Sequence, residues 1–156
     1  MKTTTVCSLF ALVALSAPAL AESDWVELFD GKTLEGWSQL SGTAGYTVED
    51  GAIIGTTSGD AENSFLATDR FYGDFELEME IKTFEDRFNG GVQIRSHAYP
   101  SYRDGAVHGY QVEVVTNGTA GFIYDELRSG WLSKERKDPE KNAAFKKSEW
   151  NKFRIV

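Results

Sequence analysis

Apolar and polar side chains alternate in short runs after residue 21, instead of recurring every three or four residues. The clearest run covers residues 75–82 and reads Phe-Glu-Leu-Glu-Met-Glu-Ile-Lys. Successive side chains of a strand point to opposite faces, so this run predicts a strand with an apolar inner face and a charged outer face. No segment keeps the 3.6-residue apolar period of a helix. The pattern therefore predicts an all-β protein.

Turn dipeptides separate these runs. Asp-Gly or Asn-Gly occurs at Asp30-Gly31, Asp50-Gly51, Asn89-Gly90, Asp104-Gly105 and Asn117-Gly118. Such pairs tolerate the positive φ angles of tight turns, so a hairpin is predicted over residues 46–54. Several short strands with turns between them are typical of a sandwich of two antiparallel sheets. We expect one such domain over residues 22–156.

A second hairpin is predicted over residues 109–126, with Asn117-Gly118 as its two-residue turn. The register that follows pairs Val112 with Ile123, Gln111 with Tyr124, and Glu113 with Phe122. Side chains alternate, so one face carries Val112, Val114 and Ile123, and the other carries Gln111, Glu113, Phe122, Tyr124 and Glu126. Both strands thus agree on which face is apolar, which supports this register.

The run over residues 91–95 divides in the same way, with Gln93 and Arg95 on its outer face. Two outer strand faces then bring together amides, a guanidinium, carboxylates and an aromatic ring. These groups suit the hydroxyls and ring faces of sugars, and a curved sandwich can form a groove there. An ordinary solvated sheet face explains the same pattern equally well, because pattern and fold do not determine function.

Both ends of the chain carry further predictions. Lys2, an apolar run from Val6 to Leu15 and Ala19-Leu20-Ala21 are typical of a secretory signal over residues 1–21, so we expect an exported protein, periplasmic or secreted. The apolar run is too short to cross a bilayer, so no transmembrane segment is expected in the mature chain. Residues 149–156 alternate like a strand that stops in mid-pattern, so we expect the domain to continue beyond residue 156. The charged segment 133–148 is interpreted as a loop or short helix.

The composition of the chain argues against several classes of binding partner and metal site. The chain has 16 basic and 24 acidic side chains, a formal net charge of −8. This acid excess argues against nucleic acids and anionic membranes, whose phosphates it would repel. The single cysteine excludes a disulfide framework and a cysteine-rich zinc site. No cofactor is evident, although loop carboxylates such as Asp60 or Asp104 leave room for a divalent metal such as calcium.

Ordered motifs over nearly the whole mature chain resemble the 3-keto-disaccharide hydrolase family. They are residues 28–37 (LFDGKTLEGW), 48–51 (VEDG), 72–77 (YGDFEL), 90–96 (GGVQIRS), 109–113 (GYQVE) and 124–128 (YDELR). The resemblance implies a concanavalin-like, laminin-G-like jelly roll with a concave carbohydrate site. It also implies hydrolysis of glycosides whose sugar was first oxidised at C3 by a separate dehydrogenase.

The implied chemistry needs a base, a stabiliser for an enolate oxygen and an acid. A ketone at C3 acidifies the C2 proton, so its removal is followed by departure of the group on C1 and addition of water. Glu113 is the first choice for the base. Arg95 or a metal would hold the oxyanion. The candidate proton donors are His108, Tyr124 and Glu126.

The candidate substrate-binding residues belong to the same motifs or follow them: Gln93, Gln111, Tyr110, Tyr124, Asp125, Arg128 and Trp131. Trp131 is the aromatic residue best placed to serve as a sugar platform. Strand alternation sends Asp125 to the apolar side, opposite Tyr110. Either a bulge re-aims Asp125, or it is a structural residue that caps a turn. Arg128 would then pair with Asp125 or Glu126, or bind substrate.

Two other functions fit the same scaffold. A carbohydrate-binding or laminin-G-like module would need the aromatic and hydroxyl-binding groups but not Glu113. A β-glucanase would use the acids Glu76, Glu78 and Glu80, because retaining hydrolysis needs two carboxyls about 5 Å apart. A solvated acidic face explains these three residues more simply.

Overall fold

The computed structural model describes residues 25–56, 63–84, 89–133 and 144–156. The predicted signal over 1–21 and most of segment 133–148 lie outside these ranges. The strands within them are β1 (Trp37–Leu40), β2 (Gly45–Glu49), β3 (Ala52–Thr56), β4 (Phe65–Thr68), β5 (Leu77–Ile81), β6 (Asn89–His97), β7 (His108–Val115), β8 (Ile123–Glu126), β9 (Gly130–Trp131) and β10 (Asn151–Ile155). A 3₁₀ turn spans Arg103–Gly105. In these ranges, no helix has the length and apolar character needed to cross a bilayer.

The strands form one four-stranded sheet and three two-stranded sheets. The large sheet has the order β6-β7-β8-β9, and the pairs are β1-β4, β2-β3 and β5-β10. Every pairing is antiparallel. The predicted all-β class with antiparallel sheets is therefore confirmed, and the arrangement is consistent with a sandwich. The jelly-roll order of the strands stays a prediction.

The first predicted hairpin forms as expected between β2 and β3. Glu49 pairs with Ala52, which leaves Asp50 and Gly51 as a two-residue turn. Their φ angles are 49° and 76°, the positive values that a type I′ turn requires. The sequence pair Asp-Gly therefore determines this turn locally.

Strand β5 has the predicted alternation, with its glutamates more exposed than its apolar residues. Its partner β10 supplies cations to the charged face. Lys152 lies 2.7 Å from Glu78, and Arg154 lies 2.7 Å from Glu76. These pairs are the arrangement of a solvated charged face, and they give no support to a β-glucanase site on this strand.

Strand β7 departs from the prediction that one of its faces is open. Gln111 is 7% exposed and Glu113 is 4% exposed, while Val112 and Val114 on the other face are also buried. Both alternating sets of side chains on β7 are therefore buried at this point, although β6 and β8 contact only its edges. Of the polar face that the sequence predicted to be outward, Gln111 and Glu113 are therefore buried, while Gln93 and Tyr124 are only half-buried.

The turn after β7 is wider than the predicted Asn117-Gly118 turn. The side chain of Asn117 accepts hydrogen bonds from the Thr119 N–H at 3.1 Å and the Thr119 hydroxyl at 2.8 Å. The chain then reverses over residues 119–122, where the Phe122 N–H donates to the Thr119 carbonyl at 3.0 Å. The two-residue turn was wrong because these side-chain hydrogen bonds favour a different local structure.

The predicted register of this hairpin survives the change of turn. Val112 pairs with Ile123, and Gln111 pairs with Tyr124. The pairing becomes irregular at Glu113, which bonds to two residues of the opposite segment. The Glu113 N–H donates to the Phe122 carbonyl, and the Glu113 carbonyl accepts from the Gly121 N–H, both at 2.8 Å. Asn89-Gly90, interpreted as a turn, instead begins β6.

Replacing Val114 tests whether the centre of β7 is a packed core. Val114 is 2% exposed, whereas Val26 is 65% exposed. Val114→Ala should lower the free energy of unfolding by about 2 kcal/mol through lost burial of two methyl groups. Val26→Ala, the same change on the surface, should have almost no effect. Urea denaturation of both variants measures the difference, and equal losses would contradict the assigned core.

Candidate functional site

One row of side chains crosses the four-stranded sheet from edge to edge. Gln93 pairs with Gln111, Gln111 with Tyr124, and Tyr124 with Trp131. Directly paired residues of neighbouring strands project to the same face. We call these four residues the polar row. At its β9 end the two rings meet edge to face, with 5.1 Å between the centroids of Tyr124 and Trp131.

Two buried glutamates lie on either side of the polar row. Glu113 follows Gln111 by two residues on β7, and Glu126 follows Tyr124 by two residues on β8. Glu126 pairs with Gly109, so four residues of β7, about 13 Å of strand, separate the backbones of the two glutamates. Both side chains are on the face of the polar row, and their charges interact across it.

Burial dominates the ionisation of both carboxyls. It raises the pKa of Glu113, the negative charge of Glu126 raises it further, and the hydrogen bond from Gln111 opposes both effects. Burial likewise raises the pKa of Glu126, against a hydrogen bond from Asn63. Desolvation favours the neutral form of a carboxyl. The site therefore holds two carboxyls that take up protons more readily than exposed ones.

A chain of hydrogen bonds leads to Glu113 from β6. The Ser96 hydroxyl donates to Gln93 Oε1 at 2.6 Å, and Gln93 Nε2 donates to Gln111 Oε1 at 3.2 Å. Gln111 Nε2 then donates to Glu113 Oε1 at 2.7 Å. We call these four residues the amide chain. Every donor in it points towards Glu113.

Two glycines leave the space that the amide chain fills. A Cβ atom at Gly91 would lie 2.6 Å from the Val112 carbonyl oxygen and would overlap the Gln111 side chain. A Cβ atom at Gly109 would lie 2.5 Å from the Ser96 hydroxyl oxygen. Such distances require the neighbours to move. Ser96 and Gln111 thus each depend on the absence of a side chain at a glycine of the adjacent strand.

Arg95 does not lie where strand alternation placed it. The pairing of β6 with β7 is irregular between Ile94 and His97, and Arg95 has a φ of 49°. The guanidinium is exposed and lies 3.0 Å from the carboxylate of Asp74. The irregularity brings Ser96 to Gln93 in place of Arg95. This corrects the expected position of Arg95 beside Gln111, and alternation misses it because a bulge changes the parity of a strand.

Asp125, Arg128 and Tyr110 occupy the opposite face of the sheet. Asp125 pairs with Tyr110 across the strands. Its carboxylate accepts from Arg128 Nε at 2.7 Å and from the Ser129 N–H at 3.2 Å. The Arg128 guanidinium lies over the Tyr110 ring, 5.0 Å from its centroid. Of the two alternatives for Asp125, the turn cap is the one found, and these three residues do not join the polar row.

His108 is buried at the start of β7. Its Nδ1 lies 2.9 Å from the Ala106 carbonyl oxygen, and its ring centroid is 4.1 Å from that of Tyr102. By alternation His108 shares the side of Tyr110, away from Glu113. It therefore belongs to an aromatic cluster with Tyr102 and is not brought to the two glutamates.

Two residues of the site escaped the sequence analysis. Asn63 Nδ2 donates to Glu126 Oε1 at 2.9 Å from a position 63 residues away, a contact that no local pattern signals. Ser96 lies within the motif 90–96, but regular alternation from Gln93 would place it on the opposite face. A glycine opposite, Gly109, was the available signal of a close approach.

The described residues contain no group of three His, Cys, Asp or Glu side chains that could hold a metal ion. Asp60 lies outside those residues, and Asp104 is in the 3₁₀ turn. A calcium site therefore stays a prediction.

Comparison with known protein families gives one match that covers most of the chain. The model of the 3-keto-alpha-glucoside-1,2-lyase-like domain matches residues 24–156. The chain belongs to this family. The resemblance found in the sequence motifs is thereby confirmed. No curated protein matches the chain significantly.

A structural role for Asp125 in this lyase-like domain has a measurable consequence. Asp125→Asn should lower the free energy of unfolding at pH 7 by about 1–3 kcal/mol, because a buried charge-assisted hydrogen bond to Arg128 is lost. Asp74→Asn removes a fully exposed carboxylate paired with Arg95, and should leave the free energy of unfolding almost unchanged. Chemical denaturation distinguishes the two, and an equally small loss in Asp125→Asn would exclude the capping role.

The raised pKa of Glu113 predicts a pH-dependent stability. A carboxyl with a raised folded pKa contributes stability below its ordinary value of 4.5, and that contribution is lost as pH rises through the folded pKa. Relative to wild type, Glu113→Gln should therefore gain stability as pH rises from about 4.5 to 7.

Glu78→Gln provides a control of opposite sign. The hydrogen bond from Lys152 lowers the pKa of Glu78, although partial burial opposes it. Its contribution to stability is therefore present above the ordinary pKa and lost at lower pH, so Glu78→Gln should lose relative stability as pH rises. Thermal denaturation at several pH values measures both trends. Parallel curves for the two variants would contradict the raised pKa of Glu113.

Proposed function

We propose that the protein cleaves 3-keto-α-glucosides by elimination between C1 and C2, followed by addition of water. The observation that carries the proposal is the pair of buried glutamates, Glu113 and Glu126, beside the polar row. The name of the family, a 3-keto-alpha-glucoside-1,2-lyase-like domain, supports the same type of reaction. A ketone at C3 makes the C2 proton acidic enough for a carboxylate base to remove it.

Glu113 acts first as the base. It takes the C2 proton, and the electron pair of the C2–H bond moves into an enolate on the C3 oxygen. A raised pKa makes Glu113 a stronger base than an exposed glutamate. The Tyr124 hydroxyl and the amide N–H groups of Gln93 and Gln111 are the donors of the polar row that suit the enolate oxygen.

Glu126 acts second as the acid. The enolate re-forms the C3 carbonyl, a C1–C2 double bond appears, and the C1–O bond breaks. The leaving oxygen takes a proton from Glu126, whose raised pKa keeps that proton available. Water then adds across the double bond to give the 3-keto sugar. During this addition Glu113 returns its proton to C2, and Glu126 takes a proton from the water whose oxygen bonds to C1, so both carboxyls regain their starting forms.

The proposed substrate has to be made by another enzyme. A sugar acquires a C3 ketone by oxidation of its C3 hydroxyl, so a sugar 3-dehydrogenase must act before this protein. We further propose that the reaction takes place outside the cytoplasm, in the periplasm or after secretion, on the basis of the signal-like residues 1–21.

Turnover of 3-keto-trehalose tests the proposal. The wild-type protein should release glucose from 3-keto-trehalose and leave trehalose itself intact. Glu113→Gln should lower kcat/KM by about 10²–10⁴-fold, the usual contribution of a general base. The control Glu78→Gln, on the charged face of β5, should retain wild-type turnover. If the wild-type protein binds the sugar without turnover, the proposed enzymatic activity is contradicted and a carbohydrate-binding module is supported.

A change of leaving group distinguishes the roles of Glu113 and Glu126 in the same assay. Glu126→Gln should be slow on 3-keto-trehalose but close to wild type on 4-nitrophenyl 3-keto-α-glucoside, whose phenolate leaves without a proton. Glu113→Gln should be slow on both. An equal loss on both substrates in Glu126→Gln would remove Glu126 from the role of the acid.

A further inference from the structure

The orientation of the Gln111 amide decides whether its N–H or its carbonyl oxygen faces the Glu113 carboxyl. Gln111 Nε2 donates to Glu113 Oε1, and Gln111 Oε1 accepts from Gln93 Nε2. An amide has a donor end and an acceptor end of nearly equal size, so a half-turn of Gln111 would exchange them. Its carbonyl oxygen would then face the Glu113 carboxyl. The donor from Gln93 opposes that half-turn.

We propose that Gln93 is a positioning residue for Glu113, acting through Gln111, whose amide it holds with the N–H towards the carboxylate. This inference rests on the proposed role of Glu113 as the base. An N–H facing Glu113 stabilises the ionised carboxylate, which is the form that accepts a proton, whereas a carbonyl facing it stabilises the protonated acid. The hydrogen bond also occupies Oε1 of Glu113, so Oε2 receives the C2 proton.

Ser96 orients the far end of the amide chain. Its hydroxyl donates to Gln93 Oε1 at 2.6 Å, and a second acceptor, the Ile94 carbonyl oxygen, lies farther away at 3.0 Å. A donor at Gln93 Oε1 turns the Gln93 amide so that its NH₂ faces Gln111. The close approach of Gly109 to Ser96 and of Gly91 to Gln111 shows that the backbone accommodates these two side chains specifically.

The elements beside Glu113 present few titratable groups to it. Strand β8 presents Glu126, whose charge raises the pKa of Glu113, and the phenol of Tyr124. Strand β6 presents Gly91 directly opposite Glu113, and hence no titrating side chain. Asn63, which contacts Glu126, is neutral. Gln111 is therefore the group through which β6 acts on Glu113.

Two substitutions of Gln93 separate charge from orientation. Gln93→Met removes the donor to Gln111 without adding charge. Gln93→Glu keeps the acceptor for Ser96 but cannot donate to Gln111, so Gln111 should turn its NH₂ towards position 93 and its oxygen towards Glu113. We expect the pKa of Glu113 to rise by about one pH unit in Gln93→Met, and by more in Gln93→Glu, as for the loss of one hydrogen bond to a charged group.

Two measurements report the change in the pKa of Glu113. Carboxyl ¹³C NMR, with the Glu113 signal assigned by its loss in Glu113→Gln, gives the pKa without any turnover. The acidic limb of kcat/KM against pH on 3-keto-trehalose should shift upwards by the same amount. The matched control is Gln39→Met, because Gln39 donates to the Ala44 carbonyl and the Ser64 hydroxyl outside the amide chain. It should lower thermal stability and leave the pKa of Glu113 unchanged.

The outcomes distinguish this inference from the proposed function. An unchanged Glu113 pKa in Gln93→Met, in a variant that remains folded by circular dichroism, overturns the positioning role. A shifted pKa by NMR together with full turnover by Glu113→Gln supports the positioning role and overturns Glu113 as the base. If Gln93→Glu does not fold, Gln93→Met and Ser96→Ala decide, and the latter should shift the pKa in the same direction by a smaller amount.

Discussion

The hydrogen bond from Gln111 to Glu113 is the interaction on which the site depends. It lies within β7, an inner strand of the four-stranded sheet, and both of its residues are buried. Burying a carboxyl in such a place is unfavourable unless hydrogen bonds replace its water. One amide does this for Glu113, and Asn63 does it for Glu126. The partial compensation leaves both carboxyls with raised pKa values, which is what an acid and a base near neutral pH require.

The backbone around these side chains is shaped for polar groups. Gly91 and Gly109 provide room that a methyl group would occupy, and the irregular pairing at Arg95 brings Ser96 into the amide chain. A strand interior that gives up side-chain packing at glycines is less stable than one filled with apolar residues. The cost is local, because the opposite face of the sheet keeps Val112 and Val114 in the core.

The two faces of the β7-β8 hairpin carry different groups: one has residues that stabilise the fold, and the other has the proposed catalytic residues. On one face, Asp125 holds the following turn through Arg128 and Ser129. On the other, Glu113 and Glu126 lie beside the polar row. The pKa values of two consecutive acids, Asp125 and Glu126, are thus shifted in opposite directions: hydrogen bonds that outweigh its burial lower the pKa of Asp125, while burial raises that of Glu126.

Alternating patterns of the same kind lead to different environments in β5 and β7. The sequence alone determined the β2-β3 hairpin with its Asp50-Gly51 turn, the alternation of β5 and the pairing of Gln111 with Tyr124, because side-chain alternation and turn residues act over a few neighbouring positions. Only the tertiary structure decided that Glu78 is exposed beside Lys152 while Glu113 is enclosed, that Asn63 reaches Glu126, and that Ser96 replaces Arg95. Burial, a bulge and a contact between distant segments depend on what packs against a strand. The alternation of side chains within one strand carries no information about the segments that pack against it.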